Sequence, residues 1–301
     1  MPSNLYAPHI RTPKTTASIM RDVCIALCPA LIGSVIFFGI RSLLLTLVSV
    51  LSCVIFEALW QKLHKLPVTV KDFSAVVTGM LIAFNVSSTT PYWVVIIASA
   101  FSIIIVKQFF GGIGSNVMNP ALMGKLFMST VYPTYTMNYV EPMQTDLVAG
   151  ATMLSAMKSG REVSYTVMDA FLGKVPGALG ETSALLILIG FAYLIYKKEV
   201  NWKVSLAFMG TVAVIVTLAG QNPLAHLCAG GLMLGGCFML TDYNLTNRTG
   251  NILMGVCAGI IVAFIRVWGM FPEGVCYSIL FVNCMSELIK GIKTKHIYGK
   301  D

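Results

Sequence analysis

The sequence predicts an all-α polytopic membrane protein. Three observations predict it. Of 301 residues 56% are hydrophobic and 11% are charged, with a mean hydropathy of +0.78, whereas a soluble domain carries about 25% charged residues. The apolar residues fall in long runs without strand-type alternation, and only helices or closed barrels span lipid. The basic residues cluster between alternate runs. A net charge of +8 is therefore read as membrane topology, and nucleic acid is excluded as a partner. Met1 to Thr16 is polar with three prolines, and no cleaved signal peptide is expected there.

A helix needs about 20 apolar residues to cross the hydrocarbon. Ten candidate spans cover approximately 22–40, 42–60, 74–89, 91–110, 117–132, 183–197, 203–220, 223–241, 251–270 and 274–292. The third, fifth and sixth are short or interrupted. With both termini cytoplasmic, the inner segments hold Arg11, Lys14, Lys62, Lys65, Lys71, Lys197, Lys198 and the C-terminal lysines, while the short outer turns hold only Arg41. That asymmetry fixes orientation. The long segment 133–182 falls outside. It divides the chain into a five-helix half, 1–132, the outer loop, and a second five-helix half, 183–301. An odd number of spans per half makes the halves inverted. The third span of each turns polar early: Gly79 to Asn85 runs into Ser87-Ser88-Thr89-Thr90, and Gly230 to Gly236 runs into Thr241-Asp242. Inverted repeats build sites from such broken helices, although glycines also simply permit close packing.

Three features bear on chemistry. The run Gly111-Gly112-Ile113-Gly114-Ser115-Asn116-Val117-Met118-Asn119-Pro120-Ala121 is a flexible break before an apolar run, and Asn116 and Asn119 offer uncharged amides to a flat polar ring. An ordinary re-entrant turn accounts for the same pattern. In Asp146-Leu147-Val148-Ala149-Gly150-Ala151-Thr152 the small residues leave the Thr152 hydroxyl unobstructed, just before a short helix. Its N–H groups suit either an anion or a plain threonine cap. Among ionisable residues in or beside spans, Glu57, Lys107 and Glu287 read as snorkelling ends, whereas Lys125 and Asp242 are the candidates for an ion or proton path. Arg266 completes that set. The eight cysteines lie in apolar runs without a CxxC pair and read as small apolar residues. No metal site and no catalytic triad is expected.

At these motifs the chain resembles the NqrB/RnfD family of membrane subunits. The residues that carry the resemblance are the 111–121 run, Phe238-Met239-Leu240-Thr241-Asp242, Gly180-Glu181-Thr182-Ser183-Ala184 and Asn201-Trp202. A length near 300 favours the RnfD kind. The resemblance implies a urea-transporter-like fold. It implies FMN esterified by a flavin transferase to a threonine in an Asp-x-x-Ser/Thr-Gly-Ala-Thr motif, matched here by Asp146, Gly150, Ala151 and Thr152, with Ala149 where Ser or Thr is usual. It extends to a noncovalent riboflavin, with Asn116 and Asn119 as candidate contacts.

The implied role is a non-autonomous subunit of the Rnf ferredoxin:NAD oxidoreductase, coupled to Na+ or H+ movement. The implied partners are RnfA, RnfB, RnfC, RnfE and RnfG, in lipid of a bacterial cytoplasmic membrane. A urea-transporter-like channel without a redox cofactor is the competing class. It predicts a colourless protein.

Overall fold

The computed structural model describes residues 15–143, 150–160, 165–241 and 248–290, with the side chains of 248–250 and 287–290 excepted. Among the described residues the regular structure is helical and no strand forms. The first half contains α1 (Thr16–Phe38), α2 (Ile40–Leu63), α3 (Ser74–Phe84), α4 (Tyr92–Ala100, widening into a π-helical segment Phe101–Gln108) and α5 (Pro120–Val131). Segment 133–182 contributes three short helices, α6 (Pro133–Thr136), α7 (Met153–Lys158) and α8 (Val167–Leu172). The second half contains α9 (Ala184–Tyr196), α10 (Trp202–Leu218), α11 (Pro223–Cys228), α12 (Leu232–Leu234, continuing into a π-helical segment Gly235–Met239), α13 (Arg248–Val267) and α14 (Val275–Lys290). Every one of the predicted spans holds helix.

Local chemistry sets the ends. Thr15 and Ser18 form a reciprocal capping box at α1. Asn119-Pro120 starts α5 and Asn222-Pro223 starts α11, each asparagine accepting from the first free N–H groups. This exploits both the Asn cap and the preset φ of proline at the first helical position. Gly39, at φ +79°, is the single residue between α1 and α2. A side chain there would be strained.

Burial explains why these helices need lipid. α2 turns Ser42, Thr46, Ser49, Cys53, Glu57 and Gln61 inward and leaves Leu44, Leu47, Leu51, Ile55 and Leu59 exposed. That is the reverse of a water-soluble helix. α1 and α2, at 23 and 24 residues, are long and apolar enough to cross a bilayer. The other apolar helices are shorter.

Small residues bring helices together. A Cβ on Gly79 would lie 2.6 Å from Val50 Cα, so α2 and α3 pack backbone to backbone. Cβ atoms on Gly255 and Gly259 would lie 2.6 and 2.8 Å from the Val204 and Phe208 carbonyls, which joins α13 to α10. α2 also packs along α4, α1 along α9, and α5 along α14.

Two expectations change. Span three stops being helical at Phe84 and span five begins only at Pro120, because Asn85 and Asn119 end and start those helices through their own amides. Glu57 and Lys107 do not snorkel. They are 1% and 2% exposed and pair at 2.6 Å, with Lys107 also donating to Ser74 Oγ at 2.6 Å. The π-helical segments were not anticipated by the hydropathy pattern. Cys53, Cys228, Cys237 and Cys276 are buried and Cys28 and Cys284 exposed, all as free thiols.

Candidate functional site

A cavity of about 380 Å³ opens where α5, α7, the 175–182 segment, the α11–α12 break and the α13–α14 turn meet. Its volume falls in the class of roughly 300–1,000 Å³ that holds small molecules.

Thr152 lines it. The residue caps α7, its hydroxyl oxygen accepting from Ser155 N–H at 3.2 Å. Gly150 donates its N–H to the Tyr139 carbonyl at 2.9 Å, and a Cβ there would lie 2.8 Å from Pro176. Glycine is therefore required for the stretch of chain that delivers Thr152 to the cavity. On the far side of α7, Lys158 donates to the carbonyls of Phe271 (2.6 Å), Ile265 (3.0 Å) and Arg266 (3.4 Å). The short helix is thus tied to the C-terminal end of α13.

A charged cluster lines the same cavity. Lys125 Nζ lies 2.8 Å from Glu181 Oε1 and 3.2 Å from both oxygens of Glu273. Glu181 is placed by backbone pairing: Leu179 N–H donates to Val86 O and Gly180 N–H to Phe84 O, each at 3.0 Å. The carbonyls left over at the end of α3 are thereby satisfied. Glu273 is fixed by the Gly231 N–H at 3.0 Å. A Cβ on Gly231 would lie 2.7 Å from Glu273 and would overlap Glu181, so the break between α11 and α12 exists where two carboxylates need the space. Arg266 holds that break open, donating to His226 O at 2.5 Å and Ala229 O at 3.2 Å.

The two carboxyls differ. Burial, and then the Glu273 charge, push Glu181 up to about 7. Burial also opposes the charge on Glu273, but Lys125, Arg266 and the Gly231 N–H outweigh it and hold that carboxyl low. Such a pair shares its protons as a unit.

The remaining candidates are placed as follows. Asn119 is buried and caps α5, accepting from Ala121 N–H at 2.9 Å and Leu122 N–H at 3.2 Å. Asn116 is half-buried. Neither lines the cavity, so the structure does not bring them together with Thr152. Lys125 does join it, along with Gly150 and Ala151. Asp146 and Asp242 lie outside the described residues. Sequence reasoning missed Glu273, an acid in a short turn after Phe271-Pro272 between two apolar runs. It also missed the part played by Glu181, whose signal was an acid two residues before an apolar helix. Among the described residues, no group of three potential metal ligands occurs.

Comparison with known proteins bears on the whole chain. The model of the NQR2, RnfD, RnfE family matches residues 4–299. The chain belongs to the NQR2, RnfD, RnfE family. It is 43% identical to the D subunit of the Na(+)-translocating ferredoxin:NAD(+) oxidoreductase complex of Acetobacterium woodii, over 97% of this chain and 94% of that one. It is 35% identical to the D subunit of the proton-translocating ferredoxin:NAD(+) oxidoreductase complex of Clostridium ljungdahlii, over 94% and 92%. It is 30% identical to the D subunit of an ion-translocating oxidoreductase complex of Escherichia coli, over 97% of both. As an NQR2, RnfD, RnfE family member it is a membrane protein, in agreement with its inside-out helices.

Proposed function

We propose that this chain is the D-type membrane subunit of an Rnf ferredoxin:NAD oxidoreductase and carries FMN esterified to Thr152, as one relay in electron flow coupled to Na+ or H+ transport. The observation that carries this reading is the position of Thr152. Its hydroxyl sits at the wall of a cavity of about 380 Å³, on a loop whose Gly150 admits no side chain. The names of the relatives point to the same complex.

The residues present fit the group. Gly150 and Ala151 leave the hydroxyl accessible, the cavity is mainly apolar with one charged cluster, and the N–H groups opening α7 lie beside Thr152. FMN held there supplies one- and two-electron redox chemistry, and the protein supplies position and electrostatics. Thr152 fixes the attachment point, Lys158 fixes the helix that bears it, and Lys125, Glu181 and Glu273 set the charge of the wall. Noncovalent riboflavin would belong to a different place, since Asn116 and Asn119 do not line this cavity.

The membrane arrangement in this reading is ten crossings in two inverted halves, with both termini cytoplasmic and the Thr152 loop outside, in a bacterial cytoplasmic membrane. Matched contacts support it. Ser49 Oγ of α2 donates to Gly79 O of α3, and Ser205 Oγ of α10 donates to Gly236 O of the π-helical segment after α12, both at 2.7 Å. Lys107 and Arg266 likewise each end a fourth helix of their half and reach back to the third. RnfA, RnfB, RnfC, RnfE and RnfG are the partner subunits in this reading, and a flavin transferase acts on the chain during maturation.

The test is in-gel flavin fluorescence with intact-mass spectrometry on wild type, Thr152→Ala and Thr152→Ser. Wild type carries one FMN by mass and Thr152→Ala carries none. A fluorescent Thr152→Ala chain sinks the assignment, and a colourless wild type favours the channel class instead.

A further inference from the structure

The charged wall of the cavity has more carboxylate than its nearest cation requires. Lys125 from α5 meets Glu181 from the segment before α9 and Glu273 from the α13–α14 turn. Arg266 stands behind them on α13. Tyr139, Cys276 and Tyr277 complete the titratable groups facing the cluster. Two positive and two negative charges leave the site neutral. We propose that Lys125, Glu181 and Glu273 form a proton-loading site, at which Glu181 takes one proton from water when negative charge arrives in the cavity. The proposal rests on the flavin reading of Thr152.

Geometry selects Glu181 over Glu273. Glu181 accepts from one partner, Lys125. Glu273 accepts from Lys125 through both oxygens and from Gly231 N–H. The less supported carboxylate is the easier to protonate. The Glu273 side chain is 23% exposed and that of Glu181 5% exposed, so the cluster meets the open volume through Glu273. An added negative charge in a low-dielectric cavity leaves the site with net −1, and a proton restores neutrality. The balance is simple. FMN held at Thr152 would accept one electron from an external one-electron donor, water would give up one proton and leave as hydroxide, and the Glu181 carboxylate would become a carboxylic acid. Lys125 stays an ammonium and remains bound to Glu273.

The experiment uses the intact purified complex with dithionite as electron donor. Infrared difference spectra in H2O and D2O follow the carboxylic acid C=O band, and the flavin potential is measured across pH. Wild type gains the band on reduction, and its potential falls as pH rises. Glu181→Gln loses the band and flattens the pH dependence. Asp169→Asn, at a residue that does not line the cavity, keeps both. If Glu181→Gln does not assemble, Glu273→Gln gives a second reading. Lys125 then serves Glu181 alone, and the pH at which the band appears moves downward. A wild-type band and pH dependence in Glu181→Gln, or an unmoved midpoint in Glu273→Gln, overturns the inference while leaving the Thr152 flavin in place. A wild-type complex without covalent flavin overturns the flavin reading first and this inference with it.

Discussion

Two buried ammonium groups in this molecule have opposite surroundings. Lys107, in the π-helical segment after α4, meets one carboxylate, Glu57, and the Ser74 hydroxyl, and the pair is 2% and 1% exposed. Lys125 on α5 meets two carboxylates, and the group lines the cavity that Thr152 also reaches. A one-to-one buried pair contributes little net stability but is costly to break, because the survivor is left charged and dry. It clamps α2, the start of α3 and the π-helical segment in one register. A two-to-one cluster on a cavity wall can change its proton count without collapsing. The difference teaches that two buried ammonium groups need not be alike: one is closed on a single carboxylate, the other is shared by two beside open volume.

The comparison is broken most severely at the closed pair. Lys107→Met leaves Glu57 alone in the bundle and is expected to cost about 3–5 kcal/mol, read as a fall in the thermal midpoint of detergent-solubilised protein. Adding Glu57→Leu to it recovers most of the loss. If the double variant is no better than the single one, the clamp is not a paired-charge device. The next effect falls at the cluster. Gly231→Ala forces Glu181 and Glu273 apart and costs about 1–3 kcal/mol as overpacking. In the proposed reading it also shifts the flavin spectrum, which the closed-pair variants leave alone.

Smaller again is Thr152→Ala, which removes the α7 cap at about 1 kcal/mol and, in the proposed reading, the covalent flavin. Thr152→Ser retains both, by the same thermal scan and in-gel fluorescence. The smallest effect lies away from the cavity, at the start of α8. Asp169 accepts from the Thr166 hydroxyl at 2.6 Å and the Thr166 N–H at 2.9 Å, and these bonds, the hydroxyl first, lower its carboxyl below 3.8. The stability contributed by this cap of α8 is present above pH 3.8 and is lost as pH falls through the lowered value. Asp169→Asn removes that acid dependence from amide-exchange protection of α8.

Hydropathy pointed to helix in every predicted span because the outward faces, such as Leu44 to Leu59 on α2, must match lipid. It misjudged ends wherever a side-chain amide overrides hydropathy, as at Asn85 and Asn119. The residues after α3 remain buried without being helical. Ser87 bonds the Asn138 carbonyl and Thr90 Oγ1 donates to Tyr135 O at 3.1 Å, long-range partners that no local pattern announces. The family resemblance is shown by the comparisons. Thr152 at a helix start was legible from the residues, and its cavity was not, since that volume is lined by seven segments spread from Asn85 to Tyr277. Lys125 was legible as an odd charge in an apolar run. Glu181 and Glu273 were hidden by lying in segments read as outer connections, where an acid attracts no notice.

Lys158 bears on how the molecule is joined. Its three carbonyl bonds join α7 to the end of α13 and to Phe271, two residues before Glu273. α7 is six residues long, with Thr152 at one tip and this staple at the other. One side chain therefore joins the helix that opens at the cavity wall to the turn that bears Glu273.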